Sequence, residues 1–110
     1  MPNKREISEA DWKHWRRVRD QALERFCAKV LRDAAKLEMG PGTAHERYLA
    51  LYKLVERRDN QLGEIFDGPR RSTAYAQIAR ATRAHLLTSE ELDGFSEDTR
   101  QVIAFLTQNT

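Results

Sequence analysis

The sequence predicts an all-α protein: an antiparallel hairpin of two long helices, with about three shorter helices packed against it as a helical bundle. Three observations carry that expectation. Residues Ser8 to Met39 run without a glycine or proline and place apolar side chains at helical spacing. Helix-capping residues recur ahead of each apolar segment, at Ser8, Thr43, Ser72 or Thr73, Thr88 and Ser96. No run alternates apolar and polar residues over about four to eight positions, so strand signals are absent.

The first helix opens at Ser8, with Glu9 and Asp11 in a first turn that favours negative charge. Asp11, three residues after Ser8, makes an acidic variant of the capping box. At about 100° per residue, Trp12, Trp15, Leu23, Phe26, Val30, Ala34 and Leu37 fall on one stripe. Gly40-Pro41-Gly42 stops the helix, with Gly40 suited to a left-handed cap. The second helix opens on the box Thr43 to Glu46, carries the stripe Tyr48, Leu51, Tyr52, Val55, Leu62 and Phe66, and ends at Asp67-Gly68-Pro69. So short a connection makes the two helices antiparallel neighbours.

A third, alanine-rich helix is expected over Thr73–Leu87, presenting Tyr75, Ile78, Ala79, Thr82 and Leu86. Thr88 to Glu91 forms another box, for a short helix ending near Gly94. Ser96 caps a last helix holding Val102, Ile103 and Leu106. The organisation expected is a polar arm over residues 1–7 and a single helical domain over residues 8–110.

A helix of about 30 residues is about 45 Å long, whereas a compact chain of this size is about 35 Å across. The first helix therefore projects or packs on a second copy. Val18, Leu31, Leu49 and Leu54 lie off the main stripes and need burial by the later helices or by a partner. A homodimer with the first helix contributing is the expectation.

The formal net charge is +2, too small to argue for nucleic acid or a membrane by itself. The single cysteine, Cys27, excludes an internal disulfide. The first residues lack the apolar core of a signal peptide, and no segment approaches the roughly 20 apolar residues of a spanning helix. A cytoplasmic location is expected, with no membrane partner.

Arg19 falls near the centre of the first stripe, where a charge must be paired or snorkel outward. The hairpin register predicts a semi-buried pair with Asp59 that fixes that register. Trp12 and Trp15, beside Arg16 and Arg17, are candidates for stacking or cation–π contacts, weighed against closing the open end of the hairpin as core. From Gly68 to Ser89 there are four arginines, Arg70, Arg71, Arg80 and Arg83, and no acid; Glu90 to Asp98 holds five acids and no base. A basic helix after Arg-Arg-Ser can meet phosphates, unless the acidic segment covers it. A helix-turn-helix over residues 73–106 fits poorly, because the connection holds a whole short helix and the second helix carries Glu97, Asp98 and only Arg100.

Catalysis finds no support. His14, His45 and His85 lie on different helices without metal spacing. Cys27 reads as a small core residue, and Asp67 to Ser72 is no phosphate loop. Glu90 and Glu91 sit in an exposed capping turn. No cofactor or metal is expected. The expected function is a non-catalytic helical module for protein interaction or self-association. The alternative is nucleic-acid binding through the basic surface of the third helix and the first half of the first.

Overall fold

The computed structural model describes residues 6–108. Residues 1–5 of the expected N-terminal arm lie outside that range; Ile7, at its end, is buried in the core. Over these residues the protein is an all-α bundle of five α-helices: α1 (Glu9–Glu38), α2 (Ala44–Phe66), α3 (Ala74–Arg83), α4 (Ser89–Asp93) and α5 (Glu97–Thr107). One 3₁₀ turn (Arg71–Thr73) leads into α3. Helices α1 and α2 form the antiparallel hairpin, and α3, α4 and α5 gather at its open end.

Local chemistry sets most of the boundaries. The Ser8 hydroxyl accepts from the Asp11 amide and starts α1. Thr43 and Glu46 exchange both bonds of a capping box at the start of α2, and Thr88 and Glu91 do the same for α4. Ser96 accepts from the Thr99 amide and starts α5. In the loop between α1 and α2 the glycine with positive φ is Gly42, at 102°, and not Gly40. Met39 and Gly40 instead close the last turn of α1 through their own amides.

Helix α3 stops four residues earlier than the apolar pattern predicts. The Leu86 amide bonds to the Ala81 carbonyl and the His85 amide to the Thr82 carbonyl, a Schellman closure, and buried Leu86 supplies its hydrophobic contact. His85 takes the left-handed position at φ 59° without being a glycine, so the stop carries no glycine signal. That conformation costs a residue with a Cβ about 1–2 kcal/mol. His85→Gly is expected to stabilise the fold by about 0.5–1 kcal/mol after the glycine's extra unfolded-state entropy is deducted, read as a rise in Tm.

The core sits at one end of the hairpin. Trp15, Val18, Ala22 and Phe26 of α1 and Ile65 and Phe66 of α2 meet Ala74, Ile78, Ala79 and Ala81 of α3, closed by Leu86, Phe95 and Ile103. Small residues at 74, 79 and 81 bring α3 close to its neighbours. The molecule measures 61 × 23 × 22 Å with a radius of gyration of 16.7 Å, against about 13 Å for a compact chain of this length. The far half of the hairpin therefore projects from the core. Within it, over residues 27–60, Leu54 is the one buried side chain.

Candidate interaction surface

The projecting arm has an open apolar face. The two helices touch along one edge of α2, where Leu54, Arg58 and Ile65 lie; the stripe read from the sequence is rotated off that edge. Val18 and Leu54 are buried, as expected of residues needing cover, but Leu31 is 70% exposed and Leu49 is also exposed. On α2, Tyr48 (63% exposed), Leu51, Tyr52 (60%) and Val55 (50%) turn outward in the spacing i, i+3, i+4, i+7 of a single face. The stripe assigned to intramolecular packing is thus largely uncovered.

Between the helices this face forms two open apolar hollows of about 240 Å³ each. Phe26, Cys27, Val30 and Leu31 line the one nearer the core with Val55, Asp59 and Leu62. Ala34 and Leu37 line the outer one with Tyr48 and Leu51. Polar atoms contribute little to either wall. The residues of α1 that bond to the later segments, Asp11, His14 and Arg25, lie on another side of α1 by the 100° spacing, and no residue of α3, α4 or α5 lines either hollow.

The Arg19–Asp59 pair is not formed. Arg19 donates instead to the Phe66 carbonyl at the end of α2, at 2.6 Å, with its guanidinium 5.7 Å from the Phe66 ring and 3.8 Å from Asp20. The expected register was short by about a turn. Side chains lean toward the N-terminus of their own helix, so those of α1 reach away from the loop and toward later residues of α2. Arg19 is partly buried, and it satisfies one of the carbonyls that a helix end leaves open. The pair that crosses the hairpin is Arg58–Asp33, at 2.6 Å. The Arg58 bond holds the Asp33 carboxyl below its usual range. Asp59 is exposed and makes no ion pair among the described residues.

The basic surface disperses in the same way. Arg80 donates to the Glu64 carbonyl in the last turn of α2, and Arg83 to the Leu106 carbonyl in the last turn of α5. Arg71 pairs with Glu9, which also meets Lys13. Arg70 is exposed. Trp15 is fully buried and belongs to the core, which corrects its place among binding candidates; Trp12 packs partly against the same core. Arg16 and Arg17 remain exposed, beside Lys13 and Asp20 around a shallow polar hollow. Of the acidic segment, Glu91 turns to α1, and none of its acids pairs with an arginine of α3 among the described residues.

That turn contains the long-range contacts absent from the sequence reading. Arg25 binds Glu91 in a two-point fork, at 2.7 and 3.1 Å, and also donates to the Leu86 carbonyl at 2.7 Å. Hydrogen bonding to Arg25 is the main cause holding the Glu91 carboxyl below its usual range. His14 Nε2 donates to the Glu91 carbonyl at 2.7 Å, and its ring stands edge-on to Phe95 with centroids 4.6 Å apart. Asp11 is buried and accepts from the Ser96 amide (2.9 Å), the Ser96 hydroxyl (2.6 Å) and the Thr99 hydroxyl (2.5 Å). Its carboxylate meets the Ser8 side chain but does not bind the Ser8 backbone amide that would complete a box; its main work is to hold the start of α5.

Comparison with protein-family models, curated proteins and solved structures finds no match to this chain. Among the described residues no group of His, Cys, Asp and Glu is placed to hold a metal ion, and no helix is long and apolar enough to cross a membrane.

Proposed function

We propose that this protein is a non-catalytic helical module for protein interaction or self-association, and that it works through the open apolar face of its projecting hairpin. The observation that carries this is the exposed run Tyr48, Leu51, Tyr52 and Val55, of which Tyr48, Leu51 and Val55 also line the apolar hollows between α1 and α2. A contiguous apolar face of this kind is costly to leave in water and marks a site of association. Two helices side by side with a groove between them fit a further helix or helix pair at ridge-into-groove spacing. The lone cysteine fits a reducing, cytoplasmic setting.

Nucleic-acid binding is the lesser reading, because Arg80 and Arg83 are taken up by helix ends and Arg71 by Glu9. A photo-activatable residue at Tyr52 tests the preferred reading in living cells. Covalent adducts to protein, whether this chain or another, are expected there and not from the same residue at Gln101. Absence of any protein adduct at position 52, together with heparin binding that falls steeply with salt, overturns it in favour of nucleic acid.

A further inference from the structure

We propose that the occupant of the open face is a second copy of this chain, docked antiparallel about a two-fold axis at the level of Val30 and Val55, so that two hairpins close into a four-helix bundle. This rests on the reading of that face as a docking surface and adds its partner and geometry.

The outer apolar positions of the face balance about a centre. A two-fold interface brings residue i against j and j against i, so its residues must balance about a centre. On α2 the centre is Val55: Tyr48 lies two turns before it and Leu62 two turns after, and Leu51 and Tyr52 on one side stand at the distances of Asp59 and Arg58 on the other. On α1 the centre is Val30: Leu23 and Leu37 flank it at seven residues, and Cys27 and Ala34 at three and four. The two centres lie at one level of the hairpin, because Val30 and Val55 line the same hollow. A single axis therefore serves both helices.

Polar groups choose the direction. Asp59 is exposed, makes no ion pair among the described residues, and interrupts the apolar stripe. In the antiparallel docking it comes level with Leu51 of the second copy, beside Tyr52, whose hydroxyl is a donor. With the two copies running in the same direction, the level of Val30 with Val55 sets Asp59 opposite the apolar wall at Phe26 and Cys27 of the second copy, with no hydroxyl donor. The face is two helices wide, about 20 Å, and four turns long, about 22 Å. That is about 440 Å² per partner in projection, below the roughly 600 Å² per partner at which standard specific interfaces begin, so the dimer is a weak, transient one.

The test is sedimentation of the full chain joined to disulfide trapping on a Cys27→Ser background. A dimer is expected, weakened at least about 100-fold by Val55→Asp, which places a charge at the axis. Val55 is half exposed, so the variant is expected to keep the wild-type circular dichroism. Val55→Cys is expected to trap a covalent dimer on mild oxidation, because a residue on the axis meets itself; Tyr48→Cys is not. Trapping at 48 and not at 55, or a dimer indifferent to Val55→Asp, overturns the arrangement. A strict monomer at high micromolar concentration overturns the second copy as occupant; adducts from position 52 to a different protein then leave the docking face standing, and their absence removes both.

Discussion

Asp11→Ala is expected to cost about 3–4 kcal/mol, a large share of the roughly 5–15 kcal/mol that holds a domain folded. The substitution strands three donors at once: the Ser96 amide, the Ser96 hydroxyl and the Thr99 hydroxyl. Thr99 is 1% exposed, so water does not replace the lost acceptor. Each bond to a charged group is worth about 1.5–3 kcal/mol, and the three share one carboxylate, so their sum is not additive. Urea unfolding of the variant beside wild type measures the loss. Asp11→Asn keeps the shape and one acceptor, and is expected to lose about half as much. A cost below about 1 kcal/mol for Asp11→Ala would show that α5 is held by packing alone.

The same carboxylate gives the fold an acid limb. Burial works to raise the Asp11 carboxyl, but the bonds from Ser96, Thr99 and Ser8 together override it and leave it below its usual range. Glu91 is lowered as well, by Arg25. A carboxyl that titrates lower when folded gives its full stabilisation above its unfolded value near about 4, and that stabilisation drains away as pH falls through the folded value. Stability is expected to be flat in this respect above about pH 5 and to drop below about pH 4. Asp11→Asn is expected to flatten the drop, measured by urea midpoints at several pH values.

Gly94→Ala is the second large effect, expected at about 2–3 kcal/mol destabilising. The backbone does not require glycine here, since φ is −72°. Space does: a Cβ at this position lies 2.4 Å from His14 Nε2 and 2.5 Å from Cε1. The ring has little room to yield, because the Glu91 carbonyl fixes one edge and Phe95 stands against it. His14→Ala is expected to remove most of the penalty, so that the double variant is more stable than the two single losses added together. Thermal unfolding of the four proteins gives the coupling. An additive cycle would place the clash elsewhere.

What the sequence revealed divides by distance along the chain. The caps at Thr43, Thr88 and Ser96 close within three residues, so their partners lie beside them in the text. The loop of the hairpin is similarly local. Arg19 was recognised as a charge needing a partner, but its partner is a backbone carbonyl, and no residue type marks a carbonyl. The same holds for Arg80 and Arg83, whose guanidinium groups cap helix ends. Asp11 looked like half of a local box because its true partners lie 85 and 88 residues away. The α2 stripe was visible at once. Which side of α2 meets α1 was not, since Leu54, Arg58 and Ile65 have no apolar run to announce them.

The uneven placing of the core has a consequence for how the molecule opens. Between residues 27 and 60 a single leucine is buried, while α3 and the base of the hairpin carry the fold's packed interior. Opening free energy therefore rises along the hairpin, lowest at Gly40-Pro41-Gly42 and approaching the global value near Ile65. The arm is a graded element, able to fray from its tip without disturbing the Asp11 and Glu91 networks. Anything that settles on its open face stiffens the frayed end first, so binding there is also an ordering event, and its affinity carries the entropy of that ordering.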